Sequence, residues 1–457
     1  MKKYLRLPDG SIFQKRPAGA TLYLKSETEQ WGKKRRLSVN MDGAKLLELC
    51  NGKLPREELV KKHNSLYPGN IVAGDTADKF FAKTLEAGMV EASAEPVRST
   101  SRVCGSHEHY YPQHNTIEVT SQCNYKCKHC YRESSPSENL HLDHEKLMKY
   151  LDEFRDHGGS VIEITGGEPM LYRNFFELVD WSWRNLEVVG VLTNGYYLQE
   201  EAIERLLPFR EKLVFNISLD SHRPQFHNAF RGKEDAFEKT TRAMELLGRN
   251  KFRFRLSMSV TRDNFFDMEG TAELAKKYGA AYFGCNMVQD LGRGGELVSG
   301  MTEAFRKDPE RHAAYEQMIH EKYKGFLHIV SEEGKKQLET GNCGIVHTTV
   351  TVGPDGEMRP CAMFDSGLRI GNIYKQSFEE IFHSTLGAAF NAMHAPKKEL
   401  CGDCKMLGIC NGCILRGIKT GLAQPDCKWL KSVDILKYIS LPPEEKKCGN
   451  LSEPNYG

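Results

Sequence analysis

Between residue 116 and about residue 330 the chain repeats one alternation, and that repetition restricts the fold more than any other feature. Apolar, β-branched runs, TIEVTS, SVIEITGG, VVGVLTNG, LVFNISLD, FRLSMSVT and AYFGCNMV, are mostly separated by helical patterns such as NFFELVDWSWRN, EDAFEKTTRAMELLGRN and MEGTAELAKKYG. Short β-branched runs predict strands, and apolar positions three and four residues apart predict helices. Strands joined through helices return to the same end of a sheet and so pair in parallel. Six such units predict an α/β fold around a parallel sheet, either doubly wound or a partial barrel.

A chain of 457 residues exceeds one ordinary compact domain. Residues 1–95 read as a separate α+β or winged-helix module. TLYLKS and RLSVNM alternate like short strands, DGAKLLELCNGKLPREELVKKHN has helical spacing broken by a Gly turn, and DKFFAKTLEAGMVE supplies another helix. Residues 96–115 lack periodicity and read as a linker with solvated histidines. From 331 to 457 the pattern changes: GPDG between two extended runs predicts a hairpin, and the Gly-rich segment CGDCKMLGICNGC is too poor in apolar residues to hold its shape without bound metal.

Net charge is +2 with the two signs interspersed, which gives no footprint for nucleic acid or an anionic membrane. The N-terminal MKKYLRLPDGSIF carries positive residues with no apolar stretch behind them, and no apolar run approaches about 18 residues. These features predict a soluble cytoplasmic protein, in which the fourteen cysteines are thiols or thiolate ligands rather than disulfides. Isolated Cys50 reads as a buried small hydrophobe.

Cys123, Cys127 and Cys130 follow the first predicted strand directly. They therefore lie at a strand's C-terminal end, where parallel α/β folds place their sites. Three neighbouring thiolates suit a 4Fe-4S cluster or a zinc ion with an open position. On the same rim TGGEP ends the second strand, TNG the third and SLD the fourth. Gly166 and Gly167 expose backbone there, and Glu168 adds a carboxylate suited to an ammonium group.

CxxxCxxC with an aromatic after its last cysteine, followed by GGEP and SLD at the next strand ends, resembles the radical S-adenosylmethionine enzymes over residues 116–330. The resemblance implies a partial (β/α)6 barrel. It also implies that Cys123, Cys127 and Cys130 bind three irons of a 4Fe-4S cluster whose fourth iron takes S-adenosylmethionine. Carried over by position, Gly166, Gly167 and Glu168 contact the methionyl amine, and Thr193 and Asn194 approach the nucleoside. Ser218 and Arg231 face the methionyl carboxylate or ribose, with Asp220 nearby; for Arg231 a surface ion pair is the alternative.

The cysteines beyond residue 340 resemble the SPASM extension, which binds two auxiliary 4Fe-4S clusters and brings the expected total to three. Its pattern assigns Cys401, Cys404, Cys410 and Cys427 to one closed cluster, and Cys343, Cys361 and Cys413 to another that lacks one protein ligand. The Cys410–Cys413 spacing is shorter than in many members, and no cysteine closely follows Cys343. Cys104 and Cys448 are the candidates for a missing ligand, and two structural zinc sites are the alternative.

Residues 1–95 resemble the peptide-recognition domains similar to the pyrroloquinoline quinone chaperone, which take a precursor's leader as an added strand. Together the regions resemble the thioether-forming radical SAM SPASM peptide maturases. This implies a cysteine-containing precursor peptide bound through its leader and a flavodoxin- or ferredoxin-type electron donor. The peptide thiolate would sit at the open auxiliary cluster while the 5′-deoxyadenosyl radical abstracts hydrogen from the acceptor carbon. DLGRGGE, residues 290–296, is a candidate peptide contact or a Gly-rich loop without function. Side-chain oxidation or carbon-to-carbon cross-linking is the first alternative activity, and a non-catalytic iron-sulfur carrier or peptide scaffold is the second.

Overall fold

The computed structural model describes residues 3–24, 35–295, 297–298, 308–329, 341–364, 367–424, 426–433 and 435. All six predicted strands are present, as β8 (His114–Glu118), β9 (Val161–Thr165), β10 (Val188–Thr193), β11 (Leu213–Ser218), β12 (Arg253–Val260) and β13 (Tyr282–Met287). They pair in parallel in chain order, and β14 (Leu327–Ile329) extends them at one edge.

A parallel sheet covered by helices on both faces reads as continuous hydrophobic runs. Here the runs alternate instead. In β12, Phe254, Leu256, Met258 and Val260 are buried while Arg253, Arg255, Ser257 and Ser259 are half-buried. The apolar set packs under helices: α8 (Ala236–Arg249) turns Ala243, Met244 and Leu247 onto β11 and β12. Each fully buried Phe of this layer, such as Phe215 or Phe254, contributes about 1.5–3 kcal/mol. On the opposite face lies a cavity of about 110 Å³, to which five neighbouring strands contribute Glu163, Gly190, Asn216, Arg255 and Tyr282 among others. One cavity touched by five successive strands requires a sheet curved around it, so the mixed α/β fold has a concave, partly polar face.

The N-terminal residues form two small sheets, β5–β1–β6 and β4–β3–β2–β7, with three helices between the strands. The strands are β1 (Tyr4–Arg6), β2 (Ile12–Arg16), β3 (Gly19–Leu24), β4 (Arg35–Val39), β5 (Asn51–Pro55), β6 (Glu91–Ser93) and β7 (Arg102–Gly105). Leu5, Phe13, Leu22, Leu47, Leu59 and Phe81 make a core separate from that of the main sheet. Where a Gly turn was expected between the first two helices, β5 pairs with β1. The stretch expected to be a structureless linker contains β7, paired with β2. Its histidines are also placed: His107 lies 3.7 Å from Glu48, His109 stacks on His383 at 3.6 Å, and His114 opens β8 at 3.3 Å from Glu163.

The expected hairpin is present as β15 (Thr349–Val352) and β16 (Glu357–Arg359). Sequence reading set it apart from the sheet, yet β15 pairs in parallel with β8, and β16 and β17 (Gly371–Asn372) continue the same sheet. One hydrophobic core accordingly runs from Tyr111 to Ile435. Among the described residues no helix is long and apolar enough to cross a membrane.

Candidate active site

The loop after β8 carries Cys123 and Cys127, both buried, and half-buried Cys130. Tyr125 is buried beneath it, while Lys126 and Lys128 point outward. The loop is held from three sides. From β9, Gly167 N donates to Thr120 O at 2.7 Å and Glu168 N to Gln122 O at 2.9 Å. A Cβ on Gly167 would lie 2.1 Å from Gln122 O, so only glycine permits this approach. From helix α7 (Pro224–Arg231), Phe230 O accepts from Lys128 N at 2.9 Å.

The third side is the DLGRG segment. Arg293 donates through Nε to Cys127 O and through Nη2 to Ser134 O, both at 2.8 Å, and through its backbone to Cys130 O at 3.1 Å. Gly292, at φ +50°, sits where a Cβ would be 2.6 Å from Cys130 O. The side chain of Arg293 is thus spent on the cysteine loop. Glu296, the last residue of the motif, lies outside the described residues.

The thiols have the surroundings an iron-sulfur cluster needs. Tyr125 N lies 3.4 Å from Cys123 Sγ, Asn194 Nδ2 lies 4.0 Å from the same sulfur, and Arg231 Nη1 lies 3.8 Å from Cys127 Sγ. Such donors stabilise thiolates bound to metal. Without cations, burial and then neighbouring negative charge push the Cys123 thiol up, and burial pushes Cys127 up despite Arg231. Metal binding removes that penalty.

The carboxylate of Glu168 is fully buried and turned into the protein. It accepts from Thr193 Oγ1 at 2.8 Å, Asn194 N at 3.0 Å and Met170 N at 3.3 Å, and burial raises its pKa to about 7 against these donors. Glu168 therefore ties the end of β9 to the end of β10, and of the motif only the half-buried Gly166–Gly167 backbone retains surface. Arg231 is not a surface residue: it forms a two-pronged pair with Asp220, at 2.6 and 3.0 Å, inside the protein. Burial, the largest single influence, would raise Asp220, but Arg231, His129 and His227 acting together keep the carboxyl below its ordinary value. Arg231 thus serves Asp220 and Cys127 first. Ser218 ends β11, half-buried on the cavity side.

Beyond the sheet the cysteines fall into two groups. Burial pushes the Cys361 thiol up to about 12, with further contributions from the charges of Cys343 and Cys413. Cys401 and Cys410 are raised first by burial and then by Cys404 and Cys427. Cys104 lies in β7, buried against Phe13 and Gly158, and joins neither group. Cys448 is outside the described residues.

A strand-end loop with three thiols, supported by a Gly-Gly turn and followed by a cysteine-rich extension on the same sheet, defines a radical SAM enzyme with auxiliary iron-sulfur sites. Two family descriptions agree: the radical SAM superfamily matches residues 117–275, and the SPASM iron-sulfur cluster-binding domain matches residues 343–405. The chain is 34% identical over 361 residues, 77% of its length and 79% of the relative's, to the antilisterial bacteriocin subtilosin biosynthesis protein AlbA of Bacillus subtilis. It belongs to this family of radical SAM, SPASM-bearing enzymes that mature peptides. It is also 28% identical to an AdoMet-dependent heme synthase of Methanosarcina barkeri, over 65% of this chain and 90% of that one. In fold it is similar to Streptococcus suis SuiB bound to precursor peptide SuiA, with a TM-score of 0.63 at 14% identity, covering 93% of this chain and 98% of that one.

Sequence reading missed Glu118, Arg132 and Arg359, which meet beside the cysteine loop. For Glu118 a local signal existed, a carboxylate within the β-branched run TIEVTS.

Proposed function

We propose that this enzyme installs sulfur-to-carbon thioether cross-links in a ribosomally made, cysteine-containing precursor peptide. The observation that carries the reading is the similarity to a subtilosin biosynthesis protein, 34% identical over 77% of the chain, and the nearness of Cys343 and Cys413 to Cys361 supports it. Three thiolates leave one position on a 4Fe-4S cluster for a substrate cysteine.

Cys123, Cys127 and Cys130 would hold the first cluster, with S-adenosylmethionine against the Gly166–Gly167 turn and the rim of Thr193, Asn194 and Ser218, and with the Asp220–Arg231 pair behind it. Cys401, Cys404, Cys410 and Cys427 would hold a third cluster. When bound, the reduced first cluster and S-adenosylmethionine supply a 5′-deoxyadenosyl radical that abstracts an unactivated hydrogen. The chain's own contribution is placement. Arg293, Phe230 and the Gly-Gly turn fix the cysteine loop at the C-terminal end of the parallel sheet, where the core peptide would be held for reaction.

The N-terminal module, residues 1–95, would take the leader as an added strand, which raises the local concentration of the core peptide near the site. Exposed Lys126 and Lys128 on the outer side of the cysteine loop support an acidic one-electron carrier protein as donor. Similarity to the heme synthase supports a second reading, in which the concave face takes a tetrapyrrole. Anaerobic turnover with the neighbouring-gene precursor, and in parallel with an iron tetrapyrrole that still carries oxidisable carboxylate side chains, separates the two. Loss of peptide hydrogens together with loss of thiol alkylation is expected; an unchanged peptide combined with heme formation would replace the thioether reading.

A further inference from the structure

Glu118, the last residue of β8, has no exposed surface, and its carboxylate oxygens are occupied by groups from the loop that follows β8 and by Arg359, 241 positions on. Tyr131, the residue after Cys130, donates its hydroxyl to Oε1 at 3.2 Å. Arg132 Nε lies 3.1 Å from Oε2, and the Arg359 guanidinium pairs with the same oxygen. Arg359 is itself buried, two residues before Cys361, and its other arm donates to Phe364 O at 2.8 Å across the turn that holds Cys361. A single carboxylate therefore fastens the segment after Cys130 to the turn around Cys361.

Such an arrangement is costly to build. Desolvating an acid and two guanidiniums offsets much of their attraction, and apolar side chains of equal volume would serve stability as well. What the ionic group supplies and an apolar one does not is directional geometry: a two-pronged guanidinium and a carboxylate fix both distance and angle. The two tethered segments carry Cys130, of the three-thiol loop, and Cys361, of the auxiliary group. Their relative placement sets how the auxiliary cysteines stand with respect to the loop that would hold the first cluster.

We propose that Glu118 is a positioning residue that holds the Cys130 loop and the Cys361 turn in register, so that cofactor cleavage stays coupled to peptide modification. This rests on the maturase reading above but not on thioether chemistry in particular. The contacts run through Tyr131, Arg132 and Arg359, and Glu118 need not touch substrate.

The test uses full-length enzyme reconstituted with iron and sulfide, S-adenosylmethionine, a chemical reductant and the neighbouring-gene precursor peptide. Three quantities are read: bound iron, 5′-deoxyadenosine released without peptide, and 5′-deoxyadenosine released per modified peptide. Glu118→Gln is expected to keep iron and peptide-free cleavage within twofold of the parent while 5′-deoxyadenosine per modified peptide rises at least tenfold. An unchanged ratio, or cleavage and modification falling together, overturns the proposal.

Should Glu118→Gln fail to hold iron, Arg359→Lys decides. It keeps the charge but cannot reach Glu118 and Phe364 together, so the same uncoupling is expected, and a parental ratio overturns the proposal. Thiol alkylation of the parent's product is scored separately. A product with every cysteine still alkylatable removes the thioether reading, while the ratio still measures coupling for whatever modification occurs.

Discussion

Arg293→Ala isolates what holds the three-cysteine loop. The side chain makes two charge-assisted hydrogen bonds, to the carbonyls of Cys127 and Ser134, both at 2.8 Å. Bonds of this kind contribute about 1.5–3 kcal/mol each. Arg293 is half-buried, so water would recover part of the loss, and a net cost of about 3 kcal/mol to loop order is a fair expectation. That corresponds to about a hundredfold shift toward loops that have let go. In Arg293→Lys one ammonium replaces the two-armed group and reaches one carbonyl, so about half the energy and roughly a tenfold shift should remain. The assay reconstitutes each variant, challenges it with an iron chelator, and follows the decay of S-adenosylmethionine cleavage, which reports on the first cluster. Decay should accelerate in the order parent, Lys, Ala, while the auxiliary iron stays bound. Parental decay in Arg293→Ala would refute the reasoning and return this loop to the role of a peptide contact or a bystander.

Cys127→Ala should abolish cofactor cleavage and leave the auxiliary iron in place; continued 5′-deoxyadenosine release would remove the loop from the chemistry. Removing the N-terminal module should leave peptide-free cleavage intact and abolish peptide modification, and because β7 belongs to that module's sheet the cut belongs after Gly105. His347 is buried under Tyr110 at 3.7 Å, and burial, reinforced by Arg16, lowers its pKa from 6.5 to about 4. The unfolded chain therefore binds the extra proton first: the stability from this site is complete above pH 6.5 and is lost as pH falls toward 4, by about 3 kcal/mol at most. Acid unfolding of His347→Phe should show a shallower slope in that window, and an identical slope would contradict the assignment. Lys126→Glu with Lys128→Glu should slow turnover driven by an acidic flavoprotein at least tenfold and leave dithionite-driven turnover unchanged; equal effects on both would argue against that docking face.

The main sheet was legible because its period is local. LVFNIS and RFRLSMSV alternate within a few residues, and that alternation reports one face under helices and one face on a cavity. The cysteine loop was legible for the same reason, since its three cysteines lie close in sequence. What stayed hidden depends on pairing across long separations. Arg359 meets Glu118 across 241 positions, and Arg293 reaches Cys127 across 166. Neither residue has a local pattern that marks its partner. The placement of β15 beside β8 and of β7 beside β2 was lost likewise, because a short extended run does not state which edge it joins. Glu168 and Arg231 show the complementary limit: motif position located them at the rim, but burial and partners turned both side chains toward the scaffold.

The most direct measurement is the mass of the precursor peptide after anaerobic turnover, taken with and without a thiol-alkylating reagent. The thioether account requires two hydrogens lost per bridge with one alkylation site lost for each, and fragmentation that places sulfur on a carbon. Hydrogen loss with every cysteine still alkylated would contradict it and leave a maturase that oxidises or joins carbon centres.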